Sequence, residues 1–338
     1  MFEFKKDVSL KDFCTFHIGG KAKFLFIANT TENLINACIY ANLHNIKYKI
    51  IGLGANLLFD DKGFNGLIIV NKTNEILFKQ LREKERSISN ASKNTPSLSL
   101  LIPNGNHNNE TNNHGNKIHD NIYNLNNKSH NHFVHVDGGV NVTNLIMKCC
   151  LRSLCGIESL AGIPSTVGGA VVNSLGAFDT NFSDYVEYVE CYHKNDLTKK
   201  LKLSHEECKF GYRSSLFKND EYIITRVKLK LHEDNQSMIR KRITEAIEKK
   251  KSTQPLDQYS AGSVFKRSDI IPAKVIDDLG LKGTKIGGAE ISMKHAGFII
   301  NTNSATSKDV KDLIKLIQKE VKSATNEDLE PEIEFVEY

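Results

Sequence analysis

The sequence predicts an α+β chain of two or three domains, and three observations carry that expectation. At 338 residues the chain can bury a substantial core and is too long for one simple module. Helix-period segments are interleaved with strand-like apolar runs. Two glycine-rich turns, Ile51-Gly52-Leu53-Gly54-Ala55-Asn56-Leu57-Leu58 and Ala161-Gly162-Ile163-Pro164-Ser165-Thr166-Val167-Gly168-Gly169-Ala170, lie far apart between those segments.

Residues 32–45 carry Leu34, Ile35, Cys38 and Ala41 at helical spacing, and a β-rich run through Ile50, Leu67, Ile68, Ile69 and Val70 follows, so this part reads as a small α/β unit. Phe133 to Val136 is strand-like and leads through Gly138-Gly139 into a helix with Val142, Leu145, Ile146 and Cys149, for which Gly156 is the expected C-cap. Tyr185 to Tyr192 and Tyr222 to Leu231 alternate as strands. Residues 235–250 read as a basic-faced helix with Met238, Ile239, Ile243, Ala246 and Ile247 inward. The last helix starts at Thr306 or Ser307, where Thr306-x-x-Asp309 resembles a capping box, and carries Val310, Leu313, Ile314, Ile317 and Val321. A strand, Ile333 to Val336, closes the chain.

Between residues 84 and 132 the composition turns to repeated Asn with His107, His114, His119, His130 and His132 and almost no apolar periodicity, which reads as a disordered insert. Flanking strand-like segments, Glu75 to Phe78 and Phe133 to Val136, make it the extension of a hairpin loop. The histidine separations match no compact ligand pattern, so no metal site is expected.

Hydrophobic residues at 40%, charged residues at 25% and a formal charge of +5 are ordinary for a soluble globular protein and give no electrostatic argument for nucleic acid. No apolar run approaches bilayer-spanning length and no secretory leader is apparent, so a cytoplasmic enzyme or binder is expected. The seven cysteines form no Cys-x-x-Cys pair, and reduced, buried thiols are expected rather than a disulfide framework or zinc finger.

The glycine turns can bring bare backbone N–H groups up to a large ligand. In the first, Leu57 holds the third-glycine position, so the dinucleotide fingerprint fails and a plain turn competes with a ligand site. In the second, Pro164 fixes one torsion and Gly168-Gly169 removes two side chains; a tight connection packed on a strand is the alternative. Polar groups stand in three further segments, Phe210 to Phe217, Ser260 to Arg267 and Leu329 to Phe335, where Arg213, Ser263 and Glu332 are each unremarkable alone.

Taken together, the order of these motifs resembles the UDP-N-acetylenolpyruvoylglucosamine reductase family nearly from end to end. The resemblance rests on Thr15-Phe16-His17-Ile18-Gly19-Gly20, both glycine turns, Gly211-Tyr212-Arg213-Ser214-Ser215, Ala261-Gly262-Ser263-Val264-Phe265-Lys266, Leu281-Lys282-Gly283 with Ile286-Gly287-Gly288-Ala289, His295-Ala296-Gly297-Phe298, and Leu329-Glu330-Pro331-Glu332. The short stretch from Arg213 to Ser263 resembles the compact type of the family, which lacks a substrate-covering tyrosine loop.

This resemblance implies an α+β fold with a two-part FAD-binding module of the vanillyl-alcohol-oxidase kind and a smaller α/β substrate-binding domain. The implied divisions are 1–83 and 133–232 for the two FAD-binding parts, 84–132 for the insert, 233–328 for the substrate domain and 329–338 for a terminal strand. It implies FAD as cofactor, NADPH as hydride donor and UDP-N-acetylglucosamine enolpyruvate as substrate, with no nucleic-acid or membrane partner and a monomeric state. Gly52, Gly54, Ala55, Asn56 and Leu57, with Gly162, Ile163, Pro164, Ser165, Thr166, Gly168 and Gly169, are the implied cofactor contacts; Tyr212, Lys266 and Arg267 are the implied substrate contacts. Arg213, Ser263 and Glu332 take the implied catalytic roles. Arg213 suits a carboxylate on which charge develops, because a guanidinium is permanently cationic and binds through parallel hydrogen bonds. Glu332 would assist as a protonated donor if burial raised its pKa, and Ser263 would give a proton to the substrate α-carbon.

Five departures from the family pattern qualify this. Ala55 replaces a common Ser and Ser165 a typical Gly. Asn173-Ser174-Leu175-Gly176-Ala177 makes a cofactor-facing role for Ser174 uncertain, and Ser268 replaces a frequent Pro. Thr253 stands where a Lys often meets substrate, leaving Lys250 or Lys251 as substitutes. Two rival readings stand beside it: another FAD-dependent oxidoreductase with the same module, and a flavin-less metal- or nucleic-acid-binding protein.

Overall fold

A computed structural model describes residues 3–80 and 132–338. The expected insert and its histidines lie outside the described residues, except His132. That residue is the first of a strand, where it pairs with Gln80.

The α+β expectation is met by three sheets. The first combines β1 (Lys5–Ser9), β2 (Lys21–Ala28), β3 (Tyr48–Ile51) and β5 (Phe64–Asn71) in the order β1-β2-β5-β3, while β4 (Leu57–Phe59) stands apart from it. β2 and β3 both run parallel to β5, and Leu67, Ile68, Ile69 and Val70 are buried on both faces, as a central parallel strand requires. Helix α1 (Thr31–Leu43) covers one face with Leu34, Ile35, Cys38 and Ala41; the Thr30 hydroxyl accepts from Asn33 N at its start.

The second sheet is antiparallel. β6 (Ile76–Gln80) and β7 (His132–Asp137) form the expected hairpin. Next come α2 (Val142–Cys150), β8 (Leu154–Cys155), α3 (Val167–Val172), the short hairpin β9 (Gly176–Ala177) and β10 (Thr180–Asn181), β11 (Val186–His193), β12 (Asp196–Ser204) and β13 (Tyr222–Glu233). The strand order is β12-β11-β13-β7-β6. Gly156 is not the cap of α2. That helix ends at Leu151, and Gly156 follows β8 with φ +136°, where a Cβ would run into the Tyr185 ring at 2.3 Å.

Helix α4 (Gln236–Thr253) then leads to β14 (Tyr259–Ser263), α5 (Pro272–Asp278), β15 (Lys285–Ile286), β16 (Ala289–Ile291), β17 (Phe298–Asn301), α6 (Ser307–Thr325) and β18 (Glu334–Val336). Ile239, Ile243 and Ala246 of α4 are buried as expected, but Met238 is exposed and Lys250, expected on the basic face, is buried. The Thr306–Asp309 capping box forms, and Val310, Leu313, Ile314, Ile317 and Val321 pack inward from α6. The third sheet runs β14-β17-β16-β15 and shares one apolar core with the inner face of the first. Finally, β18 lies parallel to β4, pairing Glu334 with Leu57, so the chain end is stitched to the first glycine turn.

All seven cysteines are free, and six are buried, as expected; burial pushes the thiols of Cys38, Cys149, Cys155, Cys191 and Cys208 up to about 12. Among the described residues no helix is long and apolar enough to cross a membrane.

Candidate active site

The two glycine turns meet. Gly52 faces Thr166 so closely that a Cβ on Gly52 would stand 2.3 Å from the Thr166 hydroxyl oxygen. Gly54, at φ +64°, takes a conformation that glycine adopts without strain, and its Cβ position is filled by the Phe13 carbonyl. The second turn ends as α3 rather than as open loop: the Thr166 hydroxyl caps Gly169 N, and Gly168 N donates to the Gly138 carbonyl at 2.8 Å. Ser165 keeps an ordinary backbone, outside the left-handed residues, so a side chain is tolerated there.

Both turns line one cavity of about 1200 Å³, larger than a drug-sized pocket needs. Every implied cofactor contact from Gly52 to Gly169 lies on its wall, as do Tyr212, Arg213, Arg267, Ser263 and Glu332. Lys266 does not. It turns to Glu330 at 2.5 Å, away from the cavity. Ser174 also faces elsewhere, with its buried hydroxyl on Ser183 at 3.2 Å.

Arg213, Ser263 and Glu332 are brought together by backbone pairing. Glu332 N donates to the Val264 carbonyl at 2.7 Å, which sets Glu332 beside Ser263 at the end of β14. Asn56 Nδ2 donates to the Glu332 carbonyl at 3.1 Å, tying the same residue to the first glycine turn. Arg213 Nε donates to Glu332 Oε1 at 2.6 Å, and the guanidinium also reaches the carbonyls of Ser174 (3.4 Å) and Gly176 (3.1 Å). Three acceptors thus fix a residue whose own backbone is left-handed at φ +51°, a costly conformation for a long side chain. Glu332 accepts in this contact through Oε1. The Ser263 hydroxyl is exposed to the cavity, and the preceding Gly262, at φ +79°, has no atom within 4 Å of its Cβ position.

Several lining groups escaped sequence reasoning. Lys218, five residues after Arg213, donates to Asn173 Oδ1 at 2.6 Å, and burial draws its pKa down. His17 stacks on Tyr259 with ring centroids 3.9 Å apart. His295 accepts from Gly297 N, and burial lowers its pKa. Nothing local in the sequence singles out Lys218, whereas His17 and His295 stand within two of the motifs that carry the resemblance and could have been read from them. Of the two lysines offered in place of Thr253, Lys250 lines the cavity and Lys251 does not. Among the described residues no three His, Cys, Asp or Glu gather as metal ligands.

Known proteins match nearly the full length of the chain, and a family model matches its C-terminal part. The family described as UDP-N-acetylenolpyruvoylglucosamine reductase, C-terminal domain, matches residues 254–336. A UDP-N-acetylenolpyruvoylglucosamine reductase from Caldanaerobacter subterraneus subsp. tengcongensis is 34% identical over 97% of this chain and 91% of its own length, and one from Caldicellulosiruptor bescii 33% over 99% and 91%. The crystal structure of UDP-N-acetylenolpyruvylglucosamine reductase from Thermus caldophilus superposes with a TM-score of 0.71 at 29% identity, covering 99% of each chain. The cleft is therefore that of an oxidoreductase. The chain belongs to the UDP-N-acetylenolpyruvoylglucosamine reductase family.

Proposed function

We propose that the chain is an NADPH-dependent flavoenzyme that reduces the enolpyruvyl ether of UDP-N-acetylglucosamine enolpyruvate to UDP-N-acetylmuramate, acting as a cytoplasmic monomer in peptidoglycan synthesis. The observation that carries this reading is the convergence of Arg213, Glu332 and the Ser263 segment on a cavity walled by both glycine turns.

The residues present fit FAD. Both glycine turns line the cavity, which has room for a dinucleotide; the N–H groups of Gly162, Gly168 and Gly169 are spent within the protein, so the second turn offers close packing rather than bare donors. When bound, the flavin would accept hydride from NADPH and pass it to the substrate. The described residues of 1–83, with 133–232, would hold the cofactor, residues 233–328 would cover the substrate, and residues 329–338 would supply Glu332.

The protein's own part is positioning, charge and one proton. Hydride addition to the enolpyruvyl β-carbon drives negative charge into the substrate carboxylate. Three of the five guanidinium N–H groups of Arg213 are engaged by the protein, which orients the remaining two for such a carboxylate. Ser263 O–H stands at the same wall to protonate the α-carbon. Glu332 holds Arg213 in place through Oε1, and its second carboxyl oxygen is the one that would face a substrate. The Tyr212 phenolic oxygen Oη accepts from the Arg267 backbone N–H at 3.0 Å, so these two would line the substrate side as one unit. Following NADPH consumption with the enolpyruvyl nucleotide sugar tests the reading: turnover that yields UDP-N-acetylmuramate is expected, and no consumption by flavin-loaded protein contradicts it.

A further inference from the structure

Lys250 lies in the last turn of α4 and is only 2% exposed, yet it lines the cavity. Its Nζ donates to the Ser159 carbonyl at 2.5 Å, and the Phe178 ring covers it at 4.6 Å. An ammonium carries three N–H donors, so two remain. Among the described residues no carboxylate pairs with it, and burial alone draws the pKa down to about 8. Beside it, the buried Ser159 Oγ has no hydrogen-bond partner.

The surroundings fix this lysine firmly. Arg242, on the same helix, pairs with Glu158 and Asp234, which clamps α4 to the short turn Glu158–Leu160 that supplies the Ser159 carbonyl. Lys250 Cδ lies 3.9 Å from the Cβ position of Gly162, at the start of the second glycine turn. Phe178 sits at the tip of the β9–β10 hairpin whose Gly176 carbonyl Arg213 holds, so Lys250 and Arg213 flank one hairpin. A buried cation without an anion is costly, and a fold keeps one where something anionic offsets the cost.

Three sources of negative charge can enter this cavity: the pyrophosphate of FAD, a flavin ring after hydride uptake, and the phosphates or carboxylate of a nucleotide-sugar substrate. The pyrophosphate is charged in both redox states, so only a charge that appears on reduction moves the ratio of reduced to oxidised flavin. All the contacts of Lys250 named above come from the second glycine turn and its neighbours, which the flavin reading gives to the cofactor; Ser263 and the third sheet contribute none. We propose that Lys250 holds the negative charge of the two-electron-reduced flavin, an inference that rests on the flavin reading above. A hydride adds two electrons and one proton to a neutral ring, leaving one net negative charge. Lys250 supplies the matching positive charge, with no further proton or oxidant required.

The test equilibrates the flavin-loaded protein anaerobically with a reference dye and compares the parent with Lys250→Met and Lys250→Arg. In Lys250→Met the ratio of reduced to oxidised flavin should fall about tenfold or more at a fixed dye ratio, equivalent to about 30 mV for two electrons. Lys250→Arg should stay close to the parent, and the affinity for oxidised FAD and the KM for nucleotide sugar should change little in both. An unchanged ratio in Lys250→Met overturns the proposal. So does a raised KM with an unchanged ratio, which assigns the lysine to the substrate. If Lys250→Met does not fold, Lys250→Gln takes its place, with the same fall in the ratio expected and an unchanged ratio overturning the proposal. Protein that takes up no FAD fails before any dye is added, which marks failure of the flavin reading itself.

Discussion

Arg213 Nε and Glu332 Oε1 lie 2.6 Å apart although 119 residues separate them in the chain. The contact ties the β12–β13 connection of the second sheet to the segment just ahead of β18, and both residues are half-buried on the wall of the cavity. Together with the Ser174 and Gly176 carbonyls, it holds the guanidinium in one orientation on that wall.

Arg213→Lys tests that orientation. A lysine keeps the charge but cannot reach Glu332, Ser174 and Gly176 at once from a left-handed backbone. Steady-state kinetics should give a kcat lower by about 10²–10³-fold, the scale of losing an oriented donor to developing charge. A kcat close to the parent would remove the fixed guanidinium from the mechanism.

Ser263→Ala should separate the two half-reactions. Flavin reduction by NADPH should remain nearly intact, while reoxidation by substrate slows by at least about 10²-fold, as loss of a positioned acid does. Stopped-flow traces in which both steps slow equally would show that Ser263 has another role.

Gly52→Ala places a methyl group against Thr166, so the Tm and the retention of FAD should both drop. Adding Thr166→Ala should recover part of the loss, because the two residues share one contact and their effects should not add. Strict additivity in the double-mutant cycle would mean that the turns do not touch.

Gln80 and His132 pair directly across the β6–β7 hairpin. Replacing residues 81–131 by Asn-Gly, a two-residue turn suited to antiparallel strands, should therefore leave activity near that of the parent. Loss of soluble expression would give the removed segment a structural role.

Stability should also respond to Lys250. Its pKa of about 8 in the folded protein lies below the ordinary 10.5, so between these values the unfolded chain binds a proton that the folded chain does not. Stability should rise with pH across that window, and less so in Lys250→Met. Thermal melts of the two proteins that run parallel from pH 7.5 to 10.5 would contradict the burial of a free cation.

What the sequence discloses is mostly local. The Thr306–Asp309 box and the apolar face of α6 are readable because a cap and a 3.6-residue period need only neighbours. Gly156 misleads because helix termination and a steric fit against Tyr185 both select glycine. The site was reached through motif order, yet Lys266 and Ser174 point elsewhere, and that orientation is set by Glu330 and Ser183. Lys250 reads as one of three consecutive surface lysines; only the packing of α4 on Ser159 and Phe178 shows that the middle one is buried. The Arg213–Glu332 contact depends on β18 pairing with β4, a long-range parallel register with no local signature.

The central claim is that one cavity holds a flavin and passes its electrons to an enolpyruvyl group under the Arg213, Ser263 and Glu332 side chains. Its most direct measurement is anaerobic: FAD-loaded protein is reduced with one equivalent of NADPH and mixed with UDP-N-acetylglucosamine enolpyruvate while the visible absorbance of the flavin is followed. Recovery of the oxidised spectrum, with one UDP-N-acetylmuramate formed per flavin, is predicted. A spectrum that stays bleached, or a protein that never acquires the flavin spectrum, would contradict the account.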